Sequence, residues 1–335
     1  MRFAARLASL VVALSGGFFP VTLPAASGWL NWRGPEQNGV STAKQALPTS
    51  LELGGPNHRW SYKAHGAGTP VIADGRVYAM AYYGETTDVE EALICLDVKT
   101  GAKLWEARFR DFLSDTTYNR YAIGAPVVDA ETGNVFLEST CGVIMAFSRD
   151  GKKLWERSMM EEYGRLTFPN GRTGSLVIEG NLVIADGITA NWGADGPARN
   201  RFYAFDKTNG ELVWFSTPGT EPLDNSFGTP VFADLGGHRV FYVGTGCGHV
   251  VCVNARTGEP VWRFKLSQSG VNSGVLLAGP DRLIAIHGKE NVDSTSQGRL
   301  VALRIPTEYP AGPKPVVLGR EAEIWRNDDF IAFSS

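Results

Sequence analysis

Polar and charged side chains recur along the 335-residue chain, each near the start of an apolar segment that opens with a glycine. Together they offer amide, guanidinium and carboxylate groups, a combination suited to polar or carboxylate-bearing ligands. The alternative is simple turn chemistry, because asparagine and aspartate favour such connections. The candidate ligand-binding residues are His65, Asn119, Arg120, Asn170, Arg172, Asp224, Asn225, Asn272, Asn327 and Asp328.

The sequence assigns no catalytic residue and no metal-ligand set. It contains no CxxC pair, no Ser-His-Asp spacing and no phosphate-binding glycine loop. His249 abuts a turn and suits a strand surface, and His287 lies in an apolar stretch that favours a structural role. Residues 191–200 form an insert that is either a binding loop or a decorative hairpin.

The segments that position these side chains repeat. In each copy an apolar strand ends at a polar residue that starts a turn, and a glycine with positive φ closes the turn. A tryptophan follows four residues later, and this large planar side chain suits packing between neighbouring sheets. The glycine and tryptophan pairs are Gly101 and Trp105, Gly151 and Trp155, Gly210 and Trp214, and Gly258 and Trp262.

A second glycine marks the first strand of each repeat, which we call the opener. A turn and another strand follow every opener, so each repeat contains four antiparallel strands. Four-stranded repeats of this length predict an all-β propeller with about five blades present. The opener glycines are Gly68, Gly124, Gly174, Gly228 and Gly274, and the tryptophans expected to dock between blades are Trp60, Trp105, Trp155, Trp214, Trp262 and Trp325.

The pattern Ala-x-Asp-x-x-x-Gly-x-x-x-Trp, as at residues 204–214, resembles the tryptophan docking motif of the pyrroloquinoline-quinone (PQQ) repeat family. The head at residues 29–35 is also similar to that of bacterial members, and the resemblance covers residues 29–335. Because this family typically has eight blades, the resemblance implies an incomplete ring that stops at a sixth blade. A strand at Arg59–Tyr62 would then belong to the last blade, and a short five- or six-bladed variant is the alternative.

The resemblance also bears on cofactors. Dehydrogenases of this family use PQQ with calcium or a lanthanide, and many place an adjacent Cys-Cys disulfide against the quinone. PQQ carries three carboxylates, for which Arg120 and Arg172 are suited. This chain has no Cys-Cys pair, and we expect its four cysteines to be unpaired. The cofactor therefore stays unassigned, with PQQ and calcium as the open alternative.

The N-terminus predicts export. Residues 1–27 combine an arginine-bearing start, an apolar stretch over residues 7–14 and small residues at 25–27, as in a secretory signal. Residues 28–58 form an N-terminal segment and residues 59–335 the propeller. A periplasmic or secreted location follows. The net charge is −3 with no basic run for nucleic acid, and no later segment is long and apolar enough to span a membrane.

These features favour a non-catalytic scaffold that binds proteins or peptides of the envelope through strand edges and grooves between blades. The outer-membrane assembly lipoprotein, a relative of this type, serves such a role. The alternative is a PQQ-dependent dehydrogenase of alcohols or sugars, or a degenerate relative that keeps the pocket. Enzymatic activity is therefore undecided, with the balance against it. A fragment without independent activity is a third hypothesis.

Overall fold

The computed structural model describes residues 25–42, 44, 46–110, 120–165, 174–189, 191, 193–222, 227–294, 297–312 and 314–330. Most of the predicted signal therefore lies outside the described residues. One short α-helix is described, α1 at Met159–Tyr163. The strands, in chain order, are β1 Gly28–Trp29, β2 Val71–Ala73, β3 Arg76–Tyr83, β4 Glu90–Asp97, β5 Lys103–Phe109, β6 Val127–Val128, β7 Val135–Glu138, β8 Val143–Phe147, β9 Lys153–Ser158, β10 Val177–Glu179, β11 Leu182–Ile188, β12 Asn200–Asp206, β13 Leu212–Ser216, β14 Val231–Leu235, β15 His238–Gly244, β16 His249–Asn254, β17 Pro260–Lys265, β18 Leu276–Leu277, β19 Arg282–Glu290, β20 Gln297–Arg304, β21 Val316–Leu318 and β22 Glu323–Asn327.

These strands form five sheets, and each sheet is built on a four-stranded antiparallel meander. Blade I contains β2 to β5, blade II β6 to β9, blade III β10 to β13, blade IV β14 to β17, and blade V β18, β19, β20 and β22. Each blade begins at the opener and ends at the tryptophan strand, as the repeat predicts. The all-β propeller architecture is thereby confirmed.

The turn before each tryptophan strand follows from local chemistry. In blade I, Asp97 Oδ1 accepts hydrogen bonds from the backbone N–H groups of Lys99 and Thr100 at 3.0 and 2.8 Å. Gly101 then adopts a φ of +71°, which a residue with a Cβ rarely tolerates. Asp206 and Asn254 accept equivalent bonds in blades III and IV. The side chain and the glycine together fix the hairpin register.

The tryptophans dock on the turn of the following blade. The Trp155 indole covers Gly210 so closely that an added Cβ would lie 2.6 Å from the ring, and its Nε1 donates to Lys207 O at 3.1 Å. Trp60 and Trp105 donate in the same way, to the carbonyls of Val98 and Arg149 at 2.9 and 3.0 Å. Trp214 packs on Gly258 by its ring alone. This docking locks each blade to its neighbour.

Blade V departs from the repeat. Trp262 is fully buried in the core between blades IV and V, and its Nε1 has no hydrogen-bond partner among the described residues. Trp325 is 45% exposed, whereas Trp155 is 8% exposed. The segment Arg59–Tyr62, predicted as a strand of the last blade, pairs with no strand of the described residues, yet Trp60 docks on blade I.

Two pairings extend the meanders. On the inner side of blade I, β1 pairs antiparallel with β2. On the outer side of blade IV, β21 pairs in parallel with β17, with Trp262 opposite Val316 and Phe264 opposite Leu318. The sequence did not predict either pairing. Blade IV therefore shows that the outer edge of a blade accepts a further strand.

The openers lie side by side in chain order. Gly68 N donates to Ala122 O at 2.8 Å, Ala125 N donates to Ser175 Oγ at 3.2 Å, and Gly174 approaches the carbonyl of Phe227. The loops before the openers mark one face of the propeller, which we call the opener face. The turns that receive the tryptophans mark the opposite face, which we call the turn face.

The N-terminal segment crosses the inner strands of three blades. Ser27 N donates to Asp74 Oδ1 at 2.9 Å, and Leu30 O accepts from Val128 N at 2.8 Å. Gln37 Nε2 then donates to Ile178 O at 2.7 Å. The segment thus ties blades I, II and III together close to the propeller axis.

Apolar clusters between successive blades form the core. All four cysteines are buried, and none of them forms a disulfide. Within the described part of the chain, no helix has the length and apolar character needed to cross a membrane.

Candidate functional site

A cavity of about 180 Å³ lies on the opener face at the propeller axis. Two residues from each of four consecutive openers line it, and Trp32 of the N-terminal segment completes the wall. The polar groups of this wall are hydroxyls and backbone atoms. The lining residues are Trp32, Ala67, Thr69, Ile123, Ala125, Gly174, Ser175, Phe227 and Thr229.

The described wall of this axial cavity includes none of the candidate ligand-binding residues. His65 lies at a separate depression of about 270 Å³, where its ring lies 5.6 Å from that of Tyr82. Arg120 is partly buried, and its carbonyl accepts from Thr140 Oγ1 at 3.5 Å. Asn272 is buried, and its Oδ1 has no partner among the described residues. Five other candidates, Asn119, Asn170, Arg172, Asp224 and Asn225, lie outside the described residues.

Asn327 and Asp328 lie at the end of β22, the outermost strand of blade V. The two carboxylate oxygens of Asp328 accept from Arg299 at 2.6 and 3.2 Å, and Asn327 Oδ1 caps the N–H of Asp329 at 2.8 Å. Arg299 also donates to Asp293 at 2.7 Å. The hydrogen bond from Arg299 to Asp293, together with a hydrogen bond from Arg326 and against the effect of burial, lowers the pKa of Asp293 to about 2. The geometry here is that of a structural ion-pair network.

A buried charged cluster lies near the opener face in blades II and III. Arg165 Nε lies 3.3 Å from Glu138 Oε1, and both side chains are almost fully buried. Burial raises the pKa of Glu138 to about 7 against the opposing effect of Arg165. Burial and the neighbouring Glu138 also raise the pKa of Asp186 well above its usual range. Both shifts favour the protonated form of the carboxyl groups.

The sequence analysis missed this cluster. Its signal was an acidic residue inside an apolar strand, since Glu138 ends β7 and Asp186 lies within β11. Such a residue is costly unless it is paired or protonated. Asp186 Oδ2 is buried and has no hydrogen-bond partner among the described residues. Its Oδ1 lies close to Gly174, which lines the axial cavity.

A second buried polar group lies in blade IV. Cys247 Sγ lies 3.3 Å from His249 Nδ1 and 3.0 Å from Thr245 Oγ1, and it accepts from Thr220 N at 3.3 Å. Burial and nearby cationic side chains lower the pKa of His249 to about 4, so the ring is neutral at pH 7. The expectation that His249 lies on a strand surface was wrong, because it is buried. His287 lies buried in β19.

The described residues do not fit PQQ, a tricarboxylate. No cationic side chain is among the described residues that line the axial cavity. The buried cation Arg165 already faces the carboxyl groups of Glu138 and Asp186, so it offers little net positive charge. Over the described ranges, no cluster of three or more histidine, cysteine or acidic side chains is arranged to hold a metal ion.

The outer strands offer a different kind of site. On β13, Val213 and Phe215 are 54% and 57% exposed, while the alternating Trp214 and Ser216 are buried. The guanidinium of Arg201 lies 5.4 Å from the Phe215 ring centre. On β9, the outer strand of blade II, Leu154 corresponds to Val213, but the acidic Glu156 takes the position of Phe215. The exposed side of β9 is therefore less apolar than that of β13. An exposed apolar row follows the outer strand of blade III.

Repeated four-stranded blades joined by tryptophan docking define a propeller of the PQQ-repeat class. The chain belongs to this family: the model described as outer membrane protein assembly factor BamB matches residues 23–188 and 198–307. The predicted resemblance is thereby confirmed.

Curated relatives of several activities show similarity to the chain. It is 26% identical over 279 residues to tetrathionate hydrolase of Acidithiobacillus ferrooxidans, which covers 77% of this chain and 51% of that protein. It is 24% identical over 284 residues to polyvinylalcohol dehydrogenase of a Sphingopyxis species, covering 74% of this chain and 41% of that protein. The chain thus spans about half or less of these relatives' length.

Among solved structures, quinohemoprotein alcohol dehydrogenase from Comamonas testosteroni superposes with a TM-score of 0.47 at 17% identity. The superposition covers 72% of this chain and 40% of that one.

Proposed function

We propose that the chain is an exported, non-catalytic scaffold that binds an extended peptide segment along the outer strand of blade III. The observation that carries this proposal is the pairing of β21 with β17, in which the outer edge of a blade receives a short parallel strand. Strand addition of this kind supplies main-chain hydrogen bonds, while side-chain contacts supply specificity. The natural ligand is expected to be a protein or peptide of the periplasm or of the extracellular medium.

The β13 edge is the best candidate among the outer strands. The described residues place no strand beyond β13, whereas β21 covers β17. Val213 and Phe215 alternate on one side of the strand, so a bound peptide would cover them with apolar residues at every second position. Burying the exposed half of two such side chains contributes about 1.5–3 kcal/mol. The expected affinity is therefore modest and depends on the added backbone hydrogen bonds.

Selection from a random peptide library displayed on phage tests the proposal directly. Enriched peptides should alternate apolar and polar residues, and Phe215→Glu should weaken their binding by about tenfold or more. Leu104→Glu is the matched control, because Leu104 is a similarly exposed apolar residue on β5 of blade I. Both positions are exposed, so neither change should unfold the chain. Enriched peptides that bind Phe215→Glu as well as the unaltered chain would refute the β13 site.

The alternative function, a PQQ-dependent dehydrogenase or a degenerate relative, is a separate prediction. Its test is thermal unfolding of the mature chain with and without PQQ plus calcium, followed by dye-linked oxidation of an alcohol. The scaffold predicts a cooperative transition that PQQ does not shift. A stoichiometric PQQ complex with alcohol oxidation would overturn the non-catalytic assignment.

A further inference from the structure

A second axial cavity lies on the turn face, between the N-terminal segment and the inner strands of blades II and III. It encloses about 210 Å³, which is room for about seven water molecules. Pro35 and Ile178 supply apolar wall, while Gln37, Asp129 and Lys207 supply buried polar groups. It is separate from both the opener-face cavity and the β13 edge.

Gln37 carries an unused acceptor at this cavity. The residue is 8% exposed, and its Nε2 donates to Ile178 O at 2.7 Å. Its Oε1 is buried and has no hydrogen-bond partner among the described residues. A buried amide oxygen without a donor is costly. The backbone here has a φ of +53°, which is uncommon for a residue other than glycine and costly to maintain. A strained residue with an unsatisfied buried acceptor thus lines the cavity.

Lys207 supplies a fixed donor to the same cavity. Its Nζ lies 3.1 Å from Asp129 Oδ1 and 2.6 Å from Glu131 Oε2. Asp129 is held in turn by Thr132, whose N and Oγ1 donate to Oδ2 at 3.2 and 2.6 Å. An ammonium has three N–H donors, and the two carboxylates take two of them. One N–H of Lys207 is therefore available to a guest.

The charge balance selects the class of guest. Two carboxylates face one ammonium, so the lining is formally negative and disfavours anions. A hydroxyl group both donates and accepts, so the hydroxyls of one guest can donate to Gln37 Oε1 and accept from the remaining Lys207 N–H. The apolar atoms of Pro35 and Ile178 suit the C–H surface of such a molecule. We propose that this cavity binds a neutral polyhydroxylated compound, a monosaccharide or a smaller polyol.

Saturation-transfer NMR with D-glucose, D-mannose, D-galactose and glycerol tests the site on the mature chain. At least one probe should show saturation transfer with a dissociation constant on the order of 1 mM. Gln37→Met should weaken it about tenfold, because a lost hydrogen bond with a buried partner costs about that factor. Val40→Ala, an exposed change in the same N-terminal segment, is the control and should leave binding unchanged.

Two further variants keep the test decisive. Gln37→Gly removes the same acceptor and accepts the positive φ without strain, so it folds even where Gln37→Met does not. Glu131→Gln removes one negative charge at an exposed side chain and tests whether a cationic guest depends on that charge. Failure of all four probes to show saturation transfer would overturn the proposal, as would binding that survives loss of Gln37. So would binding of spermidine in their place, lost in Glu131→Gln.

Discussion

Docking of each tryptophan on the next blade provides a prediction whose size follows from the structure. Trp155→Ala removes a buried indole, and a change of this kind costs about 4 kcal/mol. It also leaves Lys207 O without the Nε1 donor at 3.1 Å, which adds about 1 kcal/mol. The expected loss is about 5 kcal/mol, a large part of the stability of a typical domain. Trp155→Phe keeps a ring and should cost about 2 kcal/mol.

Trp325 provides the matched control because it occupies the same motif position but is about half exposed and covers no described turn. Trp325→Ala should cost about 1 kcal/mol. Urea denaturation followed by far-ultraviolet circular dichroism measures both free energies of unfolding. Equal losses for Trp155→Ala and Trp325→Ala would refute the reasoning, since docking would then contribute nothing beyond the tryptophan itself.

Three further predictions concern strain, burial and ion pairing. Gly258→Ala should lower the free energy of unfolding, measured by urea denaturation, by about 3 kcal/mol. The new Cβ would lie 2.6 Å from the Trp214 ring, and the backbone has a φ of +73°. In the control Gly180→Ala the Cβ meets open space, so the cost should be about 1 kcal/mol. The pKa of Glu138 is raised by burial to about 7 in the folded chain, so the folded state holds this proton more tightly than the unfolded state, and the contribution to stability should fall as pH rises from 4.5 to 7. Thermal unfolding of Glu138→Gln across this range should show a flatter pH profile, and an unchanged profile would contradict the assignment. Arg299→Met should raise the pKa of Asp293 from about 2 towards its usual value in an NMR titration, and no shift would mean that the ion pair is absent in solution.

The repeat was predictable because its determinants are local. The polar side chain at Asp97, the positive φ of Gly101 and the tryptophan that follows all lie within one short segment, so the spacing specified each hairpin. The pairing of β21 with β17 joins segments more than fifty residues apart through three residues on each side. Such a short apolar segment has no distinctive alternation or turn signal, so the sequence could not predict where it would pair.

The polar sites were harder to predict. The candidate ligand-binding residues were chosen because they occupy similar positions in the loops before the openers. Sequence position does not determine which side chains face the propeller axis: His65 lies at a separate depression, and Asp328 pairs with Arg299. An acidic residue inside an apolar strand, such as Asp186, signals a buried group, but the sequence does not show which partners from other blades surround it. Gln37 gave no signal at all, because its importance depends on a backbone angle and on contact with blade III.

Amide hydrogen exchange on the mature chain, with and without a selected peptide, tests the central claim most directly. The scaffold account predicts that the peptide slows exchange of outward-facing N–H groups in Leu212–Ser216 and leaves those of Lys103–Phe109 unchanged. Phe215→Glu should abolish this protection. Protection that appears instead at the opener-face cavity, around Ala67 and Thr69, would contradict the account and place ligand binding at the propeller axis.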